Sequence, residues 1–116
     1  MNTLSYIERF RQIKNELRKN NNFLLIGIDV GKDSHVACMM DSQKHIYYKN
    51  FRFANSANGI CLMLKKAAVI KQKSNISKII FAIEPTGNYH KPLAHYLYNQ
   101  EYLVCYVSPV AVKENR

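Results

Sequence analysis

Two apolar runs that each end in a carboxylate constrain the fold of this chain most. One run is Phe23–Asp29 and the other is Lys78–Glu84. Continuous apolar runs of this length are typical of strands that are buried on both faces of a sheet. Because the carboxyl ends of the strands form the ligand crevice of an open α/β sheet, we expect Asp29 and Glu84 to form a site there, and carboxylates favour a divalent cation.

The composition is that of a single folded domain. The chain has 116 residues, of which 47% are hydrophobic and 11% aromatic, and this excludes a disordered tail. The first 19 residues are charged throughout and contain no continuous apolar stretch, so they predict neither a signal peptide nor a membrane span. Residence in the cytoplasm, with no membrane partner, is the resulting expectation.

The charge of the chain favours a polyanionic partner. The formal net charge is +9, and the segment from residue 65 to residue 78 contains five lysines and no acid. A lysine run of this kind fits a solvated helix face as well as a binding surface. The overall excess of positive charge nevertheless makes nucleic acid the preferred interpretation.

Hydrophobic periodicity predicts a mixed α/β order. Apolar residues recur every three or four positions from Leu4 to Leu17, which indicates an amphipathic N-terminal helix over residues 1–22. The polar loop Asp41–Lys44 joins two strands into a hairpin, so the first three strands should form an antiparallel meander. The remaining predicted elements are strands at 23–29, 34–40, 45–53, 78–84 and 102–107, a helix from cap candidates at 55–59 to about residue 71, and a short helix from residue 89 to about residue 99.

This order of elements is the plan of the ribonuclease H-like fold, and local motifs extend the resemblance. The segments Gly27–Lys32, Glu84–Leu93 and Val107–Pro109 resemble the N-terminal RuvC-like domain of DEDD transposases of the IS110 insertion-sequence family. The resemblance spans roughly residues 24 to 116, and its second motif is the most specific. It implies a domain over residues 23–116 that follows the N-terminal helix.

The resemblance implies a site of four acids in the order Asp, Glu, Asp, Asp. Asp29 matches the first acid and Glu84 the second, as catalytic and metal-binding residues. In that family the last two acids and a second, serine-bearing transposase domain follow the Val107–Pro109 motif, and the chain ends before them. We therefore expect weak Mg²⁺ or Mn²⁺ binding and no strand cleavage from this fragment alone, and DNA transposition by the complete enzyme. DNA, a structured guide RNA and further copies of the full-length chain are the implied partners.

The residues themselves leave simpler interpretations open. Asp29, which precedes Val30–Gly31, fits a turn-shaping residue equally well. Turn amides near a helix N-terminus can hold phosphate, but Thr86–Asn88 also fits a simple turn and cap. The candidate nucleic-acid-binding residues are Lys32, Lys65, Lys66, Lys71, Lys73, Thr86, Asn88 and Lys113.

Two other functions compete with a transposase fragment. The Gly27–Gly31 segment also resembles the first phosphate loop of actin-like ATPases and sugar kinases, although Lys32 and Asp33 stand where those loops usually carry small hydroxyl residues. The second alternative is a nucleic-acid-binding module without catalytic activity. Saturable ATP binding would favour the first alternative, and nucleic-acid binding that ignores metal and both acids would favour the second.

Overall fold

A computed structural model describes residues 22–85 and 87–107 of the chain. The predicted N-terminal helix, Thr86 and Lys113 lie outside these described residues. Within them the elements follow the predicted order, with boundaries within about two residues of those expected. They are β1 (Phe23–Asp29), β2 (Ser34–Asp41), β3 (Ile46–Ala54), α1 (Ala57–Lys73), β4 (Lys78–Glu84), α2 (Lys91–Asn99) and β5 (Leu103–Tyr106).

The five strands form one mixed sheet in the order β3-β2-β1-β4-β5. The pairs β1–β2 and β2–β3 are antiparallel, which confirms the predicted meander. The pairs β1–β4 and β4–β5 are parallel, and each parallel connection contains one of the two described helices. This is the ribonuclease H-like fold. Neither described helix is long and apolar enough to cross a membrane.

The core lies on one face of the sheet. Leu24, Ile26 and Ile28 of β1 are buried and belong to the same cluster as buried residues of both helices, such as Met63 and Leu97. The intervening β1 residues on the other face are only partly buried, and Asp29 is exposed. The expectation that β1 is buried on both faces is therefore wrong for the described residues, because α1 and α2 pack against the same side.

Helix α1 starts at a side-chain cap and turns its apolar stripe toward the sheet. The Ser56 hydroxyl accepts a hydrogen bond from the Gly59 N–H at 3.1 Å, which satisfies one of the free donors of the first turn. Buried side chains then recur at helical spacing. They are Ile60, Met63, Ala67 and Ile70.

Helix α2 starts two residues later than predicted. A turn over residues 87–90 precedes it, and Pro92 lies in its first turn, where the missing N–H of proline costs no helical hydrogen bond. This turn lies between the end of β4 and the start of α2. It is therefore next to Glu84, at the carboxyl ends of the parallel strands.

Candidate functional site

The two acids that end the apolar runs are direct partners in the sheet. In the parallel register of β1 and β4, Asp29 lies opposite Glu84. Adjacent strands are about 4.8 Å apart and paired residues point to the same face, so the two side chains project side by side. Both residues are exposed. The carboxyl ends of β1 and β4 therefore present two neighbouring carboxylates to solvent, on the face of the sheet opposite α1 and α2.

A shallow cavity of about 370 Å³ contains both acids. Its floor consists of small residues, because Gly27 precedes Asp29 by two positions and Ala82 precedes Glu84 by two. A Cβ atom added at Gly27 would meet no other atom within 4 Å, so the absence of a side chain there keeps the cavity open. Cys38, which pairs with Gly27 across β1 and β2, completes this floor.

A bulge in β3 brings two polar side chains to the same cavity. Ala37 pairs with Phe51 and Met39 pairs with Tyr48, so two residues of β3 lie opposite Cys38 alone. These two residues are Lys49 and Asn50, and both line the cavity. Bulges of this type redirect side chains and disturb the regular alternation of a strand. The sequence does not predict this contribution, because the strand expected at residues 45–53 carries no signal for a bulge at Lys49 and Asn50.

Asn55 joins the two loops that follow the acid-bearing strands. Its side-chain amide donates to the Lys32 carbonyl at 3.2 Å and to the Tyr89 carbonyl at 3.3 Å. Its backbone N–H donates to the Asp33 carbonyl at 2.9 Å. Lys32 and Asp33 follow Asp29, while Tyr89 lies beyond Glu84. One residue thus fixes the distance between the loops on both sides of the site.

Replacing Asn55 with Asp should loosen this connection. The substitution keeps the size of the side chain but replaces the donor with a carboxylate that faces two carbonyl oxygens. We expect the free energy of unfolding, measured in urea, to fall by about 1 to 3 kcal/mol, as for a lost hydrogen bond with an unsatisfied partner. Asn58→Asp is the matched control, since Asn58 is exposed in the first turn of α1, where a negative charge is favourable. Equal stability of the two variants would contradict the bridging role.

Buried His35 holds the loop that follows Asp29 through a hydrogen bond to its backbone. The residue is 0% exposed, and its Nδ1 accepts a hydrogen bond from the Gly31 N–H at 3.2 Å. Its ring packs edge-on against Phe53. Because Nδ1 accepts this bond, a neutral His35 carries its proton on Nε2. This contact fixes the backbone two residues beyond Asp29.

His90 borders the turn that follows β4. Burial, and then the positive charge of Lys91, lower the pKa of His90 below its ordinary value, against a hydrogen bond with the Gly87 backbone. Its ring lies edge-on to Tyr106, with centroids 5.4 Å apart. Burial and the charge of Lys91 thus favour a neutral imidazole at the start of α2.

The lysines of α1 lie away from the acids. Lys65 and Lys66 are exposed, and none of the four predicted α1 lysines lines the acid cavity. Lys71 lines a second cavity of about 740 Å³ at the amino ends of β4 and β5. The acids lie at the opposite, carboxyl end of β4. Lys73 lies with Lys71 in the last turn of α1. The structure therefore separates these lysines from Asp29 and Glu84.

Two other predicted residues lie in the loops beside the site. Lys32 is exposed in the β1–β2 loop, and Asn88 is exposed in the turn before α2. The Asn88 carbonyl accepts a hydrogen bond from the Lys91 N–H at 3.2 Å, which is an ordinary turn contact. This backbone contact is independent of the Asn88 side chain, and neither Lys32 nor Asn88 lines the acid cavity.

Within the part of the chain that the structure describes, no third acidic, histidine or cysteine metal ligand joins Asp29 and Glu84. Across residues 22–85 and 87–107, no three His, Cys, Asp or Glu side chains come together in a way that could hold a metal ion. The polar side chains of the cavity are two carboxylates, an amide, an amine and the Cys38 thiol, and of these groups only the carboxylate and amide oxygens are suitable for a hard cation.

Comparison with known proteins identifies the family. A family model described as transposase, that of the DEDD transposases of IS110 elements, matches residues 26–116. The chain belongs to this family. The match covers every described strand except the first three residues of β1, and it includes Asp29 and Glu84. The comparison with curated proteins found no match.

Solved structures show more distant similarity. One is an exopolyphosphatase from Cytophaga hutchinsonii, at 14% identity and a TM-score of 0.43. Another is a Ppx/GppA family member from Aquifex aeolicus, at 11% identity and a TM-score of 0.40. Each similarity covers 75% of this chain and 35% of the other, so the chain spans about a third of the length of these structures. Similarity at this level carries no argument about activity.

Proposed function

We propose that this chain is the acid-bearing N-terminal domain of a DNA transposase, in which Asp29 and Glu84 bind Mg²⁺ or Mn²⁺. The main support is the direct pairing of these two acids in the register of β1 and β4, within a chain of a transposase family. A cation held there would polarise a phosphoryl oxygen of the nucleic acid and stabilise the charge that develops during phosphoryl transfer.

The residues around the pair fit this role. Both carboxylates are exposed and face an open cavity, so their oxygens are accessible to a hydrated ion. Asn55 and His35 hold the adjacent loops and thereby limit the movement of Asp29 relative to Glu84. Two carboxylates leave most coordination positions to water, so the proposal includes weak metal affinity and no strand cleavage by this chain alone.

The proposed partner is DNA, supported by the net charge of +9. We also propose a structured guide RNA as a partner and self-association of the protein. Lysines of α1, such as Lys65 and Lys66, would contact nucleic acid outside the acid cavity, because they lie on a different face of the domain.

Binding of a fluorescently labelled DNA duplex, followed by anisotropy, tests this function. We expect the 116-residue chain to bind the duplex and Mg²⁺ to strengthen this binding several-fold. In the Asp29→Asn/Glu84→Gln double variant, Mg²⁺ should have no such effect. An RNA duplex measured in parallel establishes which nucleic acid is preferred. A duplex affinity that changes neither with Mg²⁺ nor with the two substitutions would instead support a nucleic-acid-binding module without a metal site.

A further inference from the structure

The β3 bulge gives the acid cavity a second wall of different chemistry. Lys49 and Asn50 both lie opposite Cys38 and both line the cavity that contains Asp29 and Glu84. Without the bulge, consecutive residues of β3 would point to opposite faces of the sheet. The irregularity therefore places an amine and an amide together on the face that carries the acids.

We propose that Lys49 and Asn50 contact a backbone phosphate of the nucleic-acid strand that lies at the acid pair. This inference rests on the proposed function, since it assigns a role at the same site. Asp29 and Glu84 repel a phosphate unless a cation lies between them and it. Lys49 attracts the same group directly, and the amide of Asn50 can donate to a phosphate oxygen.

The dimensions of the sheet suit one phosphodiester group. Strand β3 is two strands away from β1, which corresponds to about 10 Å between their backbones. The open floor at Gly27 and Cys38 lies between them. A lysine side chain that extends across this floor approaches the region in front of Asp29. A phosphate bound over this floor would lie between the acid pair and Lys49.

The amine of Lys49 is available for such a contact. Lys49 is exposed, and the described part of the chain offers it no hydrogen-bond or ion-pair partner. In particular, Lys49 forms no ion pair with Asp29 or Glu84 in this structure, although all three line one cavity. A lysine that served only to neutralise the two acids would be expected to pair with them.

Substitution of Lys49 tests the proposal with the intact 116-residue chain. The probe is a labelled DNA duplex, with an RNA duplex as a second arm, titrated by anisotropy in Mg²⁺ at several salt concentrations. We expect Lys49→Gln to weaken binding about three- to tenfold at low salt and to reduce the slope of log affinity against log salt by about one for duplex DNA. Lys44→Gln removes the same charge in the β2–β3 turn, outside the acid cavity, and should change the slope less.

A double-mutant cycle separates a shared phosphate from a general charge effect. If the cation and Lys49 hold the same phosphate, the effect of Lys49→Gln should shrink in the Asp29→Asn/Glu84→Gln background. Lys49→Arg, which keeps the charge, should restore most of the binding. Equal effects of Lys49→Gln and Lys44→Gln, or no binding of either probe at low salt, would overturn the role of Lys49. Metal binding by Asp29 and Glu84 is measured separately, in the absence of nucleic acid. A failure of the proposed metal site is therefore distinguishable from a failure of the role proposed for Lys49.

Discussion

Gly59→Ala is expected to destabilise the domain by about 2 to 4 kcal/mol, a large effect for the addition of one methyl group. A Cβ atom at this position would lie 2.1 Å from the Ala54 carbonyl oxygen and 2.7 Å from the Ala54 nitrogen. These are backbone atoms at the end of β3, so no side-chain rotation relieves the overlap. The first turn of α1 would have to move, and the cap contact with Ser56 would be strained with it.

Equilibrium unfolding in urea measures this effect, and Asn58→Ala is the control. Asn58 is exposed in the same turn, where alanine should raise stability by a few tenths of a kcal/mol because it is the better helix former. Gly59→Ala gains even more helix propensity than Asn58→Ala, so a loss of stability must come from the close approach. A Gly59→Ala protein as stable as the wild type would mean that α1 does not pack against β3 as described.

Neutralising the acid pair should have opposite consequences with and without metal. In the presence of a chelator, Asp29→Asn/Glu84→Gln removes two like charges that are neighbours across β1 and β4. The free energy of unfolding should then rise by about 0.2 to 1 kcal/mol. At a Mg²⁺ concentration 100 times the dissociation constant, the wild type should gain about 2.7 kcal/mol, because the cation binds only the folded state. The double variant should gain nothing.

The control for this experiment is Asp33→Asn. Asp33 is an exposed acid four residues after Asp29, and it does not line the acid cavity. Its neutralisation should leave the metal-dependent gain intact. If the wild type and the double variant gained equal stability from Mg²⁺, the cation would be acting elsewhere on the chain. Thermal unfolding at fixed ionic strength separates this specific gain from general screening.

The sequence predicted those parts of the fold that depend on local pattern. The apolar runs 23–29 and 78–84 predicted β1 and β4 with the observed boundaries, because uninterrupted apolar segments between polar residues leave little choice of ends. The meander followed from the hairpin loop after β2. The neighbouring placement of Asp29 and Glu84 follows from the rule that parallel strands end at one crevice, but their exact pairing in the register of β1 and β4 depends on tertiary contacts that the sequence does not determine.

The sequence did not predict features that depend on contacts between distant segments. The sequence predicts Asn55 only as one of several helix-cap candidates, yet its side chain joins residues that are 23 and 34 positions away in the chain. The bulge at Lys49 arises from the register of β2 against β3, which the side-chain pattern of β3 alone does not determine. The sequence also does not show where the lysine run lies relative to the acids, and the structure places Lys71 at the amino ends of β4 and β5, away from Asp29 and Glu84.

Paramagnetic broadening by Mn²⁺ in an amide NMR spectrum tests the central claim most directly, since the effect falls steeply with distance from the ion. Substoichiometric Mn²⁺ should broaden the amide signals of Gly27, Asp29, Ala82 and Glu84 first, and leave those of Lys44 and Ser74 sharp. In Asp29→Asn/Glu84→Gln this selective broadening should disappear. Broadening that is uniform across the domain, or that persists unchanged in the double variant, would contradict a metal site at the acid pair.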